Sequence, residues 1–254
     1  MGLGMKALLH VHSNYSYDGQ PSLENLASWG ESRGLGAILL SEHTNDFDGE
    51  KMNRFVVHCD ALARERCRLV PGLEFPVRGG FHLLGFSVRE FAPIVDPVSA
   101  VRFIHDQGGL AVLAHPARYK GAWPDDTMLA DLDGIEVWNA RYDGRFVPSE
   151  RVLAASEAVI KRQPHLSRYC GQDLHVTQSH RILPIEARAT DVDELVGRLR
   201  VGDATLGAAT PRLAMRGPLG VTARVVSGVA HPVYRIARAL RATMRSGDGS
   251  RQEG

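Results

Sequence analysis

Seven short apolar runs punctuate the chain, at 6–12, 36–41, 68–75, 81–87, 110–115, 134–139 and 167–170. Each has the length of a strand, and the segments between them carry apolar residues at helical spacing. Leu23, Leu26, Ala27 and Gly30 follow Pro21, with Gly34 as a C-terminal stop. Met52, Phe55, Val56, Cys59, Leu62 and Ala63 form a second stripe, Val98, Val101 and Ile104 a third that runs to Gly108-Gly109, and Val152, Leu153, Val159 and Ile160 a fourth. Asp191 followed by Glu194 reads as a capping box in front of Leu195, Val196 and Leu199. Strands that alternate with helices in this way predict an α/β fold in which parallel strands close a barrel and the chemistry sits on loops at their C-terminal ends.

The residues at those strand ends are the second regularity. The first run ends in His10-Val11-His12, and strand alternation puts both imidazoles on one face. The second runs into Glu42-His43, the third carries Glu74 in Pro71-Gly72-Leu73-Glu74, and the fourth opens with His82. The fifth ends in His115-Pro116 and the seventh leads into Asp173-Leu174-His175, while Asp18 lies in the loop after the first. These six histidines and three carboxylates form a nitrogen and oxygen donor set without thiolate, suited to Zn²⁺, Mn²⁺ or Fe²⁺. Nine donors exceed what one ion uses, so two or three divalent ions are expected. Ions placed side by side activate water and neutralise phosphoryl oxygens.

In their order, His10-Val-His12-Ser13, Asp18-Gly19, Glu42-His43, Pro71-Gly72-Leu73-Glu74, His82-Leu-Leu-Gly85, Ala114-His115-Pro116 and Asp173-Leu-His175 resemble the motifs of the PHP (polymerase and histidinol phosphatase) domain, over residues 5 to about 207. Asp133-Gly134-Ile135-Glu136-Val137 with Asn139 resembles its sixth-strand segment. The resemblance implies a distorted (β/α)7 barrel with a trinuclear centre. His10, His12, Glu74 and Asp173 would hold one ion, Asp18, His43 and His175 a second, and Glu74 with His82 and His115 a third. The sequence departs from the family pattern at Glu42, where aspartate is usual, and at Gln172 and Leu174, where small residues are usual.

The resemblance further implies a stand-alone phosphoesterase, expected to hydrolyse a small phosphorylated molecule with a hydroxide that would bridge two ions. Arg118, three residues beyond His115, and Arg141, just past the sixth strand, are the candidate phosphate clamp, because a guanidinium pairs with phosphate bidentately. His180 is the candidate donor to the leaving group. Glu136 and Asn139 stand at a strand end that faces either the site or the core, and Glu42 is as compatible with a structural place as with a functional one. Hydrolysis of nucleotides or oligonucleotide ends is the second enzymatic reading, and an inactive PHP-like binding or scaffold module is the third. An amidohydrolase also opens with H-x-H, but lacks the Pro-Gly-x-Glu and terminal Asp-x-His seen here.

The net charge of +1 hides a division. Beyond residue 210, eight arginines face only Asp248 and Glu253, so residues 211–254 carry +6 and residues 1–210 carry −5. In this tail Val233, Ile236, Ala237, Leu240 and Met244 follow helical spacing after Pro232 with arginines between them, a basic amphipathic helix with a disordered end. Packing on the barrel, a weak membrane-surface contact and a protein contact through 212–245 are its three readings. Cys59, Cys67 and Cys170 are scattered and odd in number, so no disulfide framework is expected. Without a leader or an apolar run of membrane-spanning length, the chain reads as cytoplasmic.

Overall fold

The computed structural model describes residues 4–62, 67–119, 122–143, 147–178, 181–207, 212–220, 225 and 228–229. In chain order these form β1 (Met5–Val11), α1 (Leu23–Glu31), β2 (Ala37–Leu40), β3 (Glu42–His43), α2 (Gly49–Ala61), β4 (Arg68–Val70), β5 (Gly72–Val77) and β6 (Phe81–Phe86). There follow α3 (Pro97–Asp106), β7 (Leu110–Leu113), α4 (Asp126–Leu129), β8 (Gly134–Asn139), α5 (Glu150–Arg162), β9 (Ser167–Gly171), β10 (Ile185–Ala187), α6 (Val192–Val201), β11 (Thr205–Leu206) and β12 (Leu213–Ala214).

Most of the helices begin where a polar side chain satisfies a free amide of the first turn. Ser22, Asp48, Asp96 and Asp191 accept from the backbone N–H three residues ahead in α1, α2, α3 and α6. Their apolar stripes are the buried faces: Met52, Phe55, Val56 and Cys59 in α2, and Ala100, Val101 and Ile104 in α3. Leu8, Leu9, Ile38, Leu39 and Leu40 are buried on both faces of the sheet, as parallel strands sandwiched in an α/β fold require. Each such side chain stabilises the fold by about 1.5–3 kcal/mol relative to exposure.

The strands lie in two six-stranded sheets, ordered β12-β11-β10-β1-β2-β4 and β3-β5-β6-β7-β8-β9. Two of the expected strands are therefore divided between sheets. The run that begins at 36 and leads into Glu42-His43 splits into β2 and β3 at Ser41, and the run at 68–75 into β4 and β5 at Pro71, which has no N–H to give to a ladder. Gly72 permits the crossing: a Cβ there would lie 2.2 Å from the Leu40 carbonyl oxygen and 2.7 Å from that of Gly85.

The expectation of seven strands running parallel is corrected here. β5–β6, β6–β7 and β1–β10 are antiparallel. The cause of the first is a tight hairpin at Gly79 and Gly80, whose φ of +91° and +78° only glycine adopts without strain. No continuous ladder closes the ring among the described residues. The ends of β1 and β9 nevertheless meet, through amides donated by Gln172 to the Leu9 carbonyl, by Leu174 to that of His10 and by His12 to that of Leu174, at 2.8–3.2 Å. That junction brings the first and last motifs together.

The start of the basic segment belongs to the folded body. β12 pairs with β11, and Leu213, Met215 and Leu219 are buried. Arg168, buried beneath them, donates to the Ala214 and Gly217 carbonyls, Arg212 pairs with Glu186, and Arg216 donates to Ser167 Oγ at 2.9 Å. The amphipathic helix expected over 233–244 lies outside the described residues. No described helix is long and apolar enough to cross a membrane.

Candidate metal centre

Glu74 is the hub of the cluster. It enters from the middle of β5, 1% exposed, and meets five imidazoles. Its Oε2 lies 3.4 Å from His10 Nε2, 3.5 Å from His12 Nε2 and 3.2 Å from His43 Nδ1. Its Oε1 lies 2.5 Å from His82 Nδ1 and 3.0 Å from His115 Nε2. Asp173 Oδ1 stands 3.9 Å from both His10 Nε2 and His12 Nε2 and 3.5 Å from His175 Nδ1. Asp18 bridges the remaining pair, Oδ1 at 3.3 Å from His43 Nε2 and Oδ2 at 3.1 Å from His175 Nε2. All nine residues singled out at the strand ends are thus brought together.

Among the described residues, three sets of donor atoms converge closely enough to hold an ion: His12, His43 and His175; His10, His12 and Asp173; and His10, Glu74 and His115. The chemistry of the donors fits a metal. His10 Nε2, His12 Nε2, His115 Nδ1 and Asp18 Oδ1 are buried without a hydrogen-bond partner, an arrangement that costs free energy unless something else satisfies them. The gaps of 3.4–3.9 Å between the two Nε2 atoms and their carboxylate oxygens exceed a hydrogen bond. They approach the separation of about 3.3–3.5 Å between neighbouring ligands of an ion bound at about 2.0–2.2 Å.

The backbone is strained at this cluster. His10, His115 and Asp173 have φ of +59°, +29° and +49°, and Ser87 is the one other described non-glycine residue with positive φ. Such conformations cost on the order of 1–3 kcal/mol each and persist where surrounding structure holds them. His10 sits in a β-bulge between Leu9 and Val11, so its ring and that of His12, centroids 5.2 Å apart, converge across an irregularity and not a regular pleat.

Burial and charge pull these groups in opposite directions. Burial lowers the His12 pKa well below its ordinary value, since Glu74 only partly opposes it and the neighbouring imidazoles add repulsion. Burial also lowers His43. In His10 burial is outweighed by Glu136, Asp173 and Glu74, which hold it well above the usual value. Burial would raise Glu74, but His10, His115 and His82 keep it well below the carboxylate range. Neutral imidazoles and ionised carboxylates are the forms that bind metal.

Arg118 and Arg141 flank the cluster, and both are exposed residues. Arg118 Nη1 lies 3.0 Å from His82 Nε2, and Arg141 Nη1 lies 3.0 Å from His175 Nδ1 and 3.5 Å from Asp173 Oδ1. His180 lies outside the described residues. Glu136 and Asn139 face inward: both are buried and bonded to protein groups, which removes them from a surface that substrate could touch. Two aromatic residues at the rim had no signal in the sequence. Tyr17, 67% exposed, stacks on His43 with centroids 5.1 Å apart, and Tyr142 lies 5.1 Å from the His115 ring.

The PHP domain family model matches residues 9–195, which span every residue of this cluster. An uncharacterized protein of Methanocaldococcus jannaschii is 29% identical over 173 residues, covering 63% of this chain and 94% of that protein. A probable histidinol-phosphatase of Thermotoga maritima is 26% identical over 132 residues, 45% of this chain and 57% of that one. Among solved structures, a two-domain Bacteroides vulgatus protein containing a predicted PHP-like metal-dependent phosphoesterase superposes with a TM-score of 0.63 at 19% identity. The match covers 81% of this chain and spans 65% of that longer one.

Proposed function

The chain belongs to the PHP domain family, and from that premise we propose that it is a divalent-metal-dependent phosphoesterase acting on a small phosphorylated molecule. The observation that carries this reading is the pair of buried, unpartnered Nε2 atoms of His10 and His12, both aimed at Glu74 and Asp173. An exposed guanidinium flanks the cluster on either side. The relative described as a probable histidinol-phosphatase supports a phosphomonoester.

His10, His12, Glu74 and Asp173 would hold one ion, Asp18, His43 and His175 a second, and Glu74, His82 and His115 a third. The three converging donor sets agree with this division in outline, with His10 and His12 each shared between two sets. Mn²⁺, Zn²⁺ and Fe²⁺ all suit imidazole and carboxylate donors. When bound, such ions lower the pKa of water to produce a nucleophile at neutral pH and neutralise charge on phosphoryl oxygens. Arg118 and Arg141 grip the phosphoryl oxygens that face away from the cluster, and their planar forks orient the ester. His180 is assigned to protonation of the leaving oxygen.

A nucleotide or oligonucleotide end is the second reading, and the rim favours it: Tyr17 and Tyr142 offer aromatic faces on which a base can stack. A screen of phosphomonoesters, nucleotides and short oligonucleotides with added Mn²⁺, Zn²⁺ or Fe²⁺ tests both. Metal-stimulated turnover of a phosphomonoester is expected, turnover confined to nucleotides or oligonucleotides selects the second reading, and metal-loaded protein that turns over none overturns both.

A further inference from the structure

We infer that Glu136 is the positioning residue of the metal centre, fixing the His10 tautomer and clasping the three strained residues together; this rests on the metal-binding reading above. Glu136 projects from β8 and is 1% exposed. Its Oε1 lies 2.9 Å from His10 Nδ1. Its Oε2 accepts the backbone N–H of His115 at 2.6 Å and the side-chain amide of Asn139 at 2.9 Å. That same Asn139 amide nitrogen lies 3.4 Å from Asp173 Oδ2. One carboxylate and its amide neighbour therefore reach His10, His115 and Asp173, the three residues of the cluster held at positive φ. Room for it exists because residue 171 is glycine: a Cβ there would lie 1.5 Å from Glu136 Oε1.

The donor count decides what this contact does. A carboxylate offers acceptors only, and Glu136 at 2.9 Å from Nδ1 is within hydrogen-bond distance whereas Glu74 and Asp173 at 3.4 and 3.9 Å from Nε2 are not, so the proton of the neutral His10 ring sits on Nδ1 and the Nε2 lone pair is left facing Glu74 and Asp173. A hydrogen bond from the far nitrogen of a ligating imidazole to a carboxylate is the usual way a protein fixes ring orientation at a metal. Glutamine in place of Glu136 keeps the shape but has one acceptor. Placed to accept from His115 and Asn139, it must donate to His10 Nδ1, which moves the ring proton onto Nε2, where an ion would bind.

The test is ¹H–¹⁵N NMR of the histidine ring nitrogens in metal-free protein at alkaline pH, with Zn²⁺ titrations against a chromophoric chelator, for the full-length wild type and E136Q. The expected result is a His10 proton on Nδ1 in the wild type and on Nε2 in E136Q, with Zn²⁺ affinity lower by about 10–100-fold. A packing role alone would lower the melting temperature and leave the tautomer in place. A wild-type His10 protonated on Nε2, or an E136Q protein that keeps the Nδ1 tautomer or binds Zn²⁺ within about twofold of wild type, overturns the assignment. Should E136Q fail to fold, the wild-type spectrum decides alone. Wild type that takes up no metal but keeps the Nδ1 proton contradicts the metal reading and leaves the His10–Glu136 assignment standing.

Discussion

Ser16 donates its hydroxyl to Glu42 Oε2 at 2.5 Å and accepts the backbone N–H of His43 at 3.0 Å, so one buried serine joins the loop after β1 to the short strand β3. The other carboxylate oxygen takes the backbone N–H of Ser13 at 2.9 Å and its hydroxyl at 2.6 Å. Burial pushes Glu42 up to about 7 against these hydrogen bonds. Glu42 therefore anchors the loop that carries Asp18. Glu42→Ala leaves three buried donors without an acceptor, each worth about 1–3 kcal/mol. A loss of about 3 kcal/mol or more in urea unfolding is expected, and a loss within about 0.5 kcal/mol would show that the loop holds itself.

His105, at the end of α3, faces Asp133 Oδ2 at 2.9 Å. The hydrogen bond to that carboxylate is the main cause holding its pKa above the ordinary 6.5, with burial opposing. A histidine raised in the folded state adds stability that is fully present below 6.5 and is lost as pH rises through its folded value. The melting-temperature advantage of wild type over His105→Gln should therefore be larger at about pH 5.5 than at about pH 9. An advantage that grows with pH would reverse the sign of this coupling.

Arg118 and Arg141 are assigned to the phosphoryl group because both are exposed and place a guanidinium nitrogen 3.0 Å from an imidazole of the cluster, His82 and His175 respectively. Arg118→Ala and Arg141→Ala should each lower kcat/KM on the order of 10²-fold while metal content stays at the wild-type level. Lysine at either position should recover part of the loss, since it restores charge but not the planar fork. Unchanged kcat/KM in both alanine variants would place the phosphate elsewhere.

Much of this centre was legible in the sequence because strand ends are local. His10, His12, His43, Glu74, His82, His115, Asp173 and His175 stand at or beside apolar runs, and the fold had only to bring those ends together. The sheet switches at Ser41 and Pro71 were not legible, because a four-residue β2 followed by a two-residue β3 looks like one strand. The hairpin at Gly79-Gly80 and the very short β10, β11 and β12 carry too little periodicity to set strand direction. Glu136 and Asn139 stood at the right strand end, but only the contacts of β8 with His10 and His115 show that they face inward. Tyr17 gave no sign, since an exposed tyrosine in a loop is ordinary until its ring is found on His43.

The central claim is that Glu74 and Asp173 hold divalent ions that the phosphoesterase reaction requires. Chelator-stripped wild type, Glu74→Gln and Asp173→Asn should be compared for metal content and for hydrolysis of the best phosphoester before and after Mn²⁺, Zn²⁺ or Fe²⁺ is returned. The account predicts that stripped wild type is inactive and recovers with metal. It also predicts that both variants, folded by circular dichroism, bind fewer ions and stay at least about 10³-fold less active. Full turnover by stripped wild type, or by Glu74→Gln and Asp173→Asn with wild-type metal content, would contradict it.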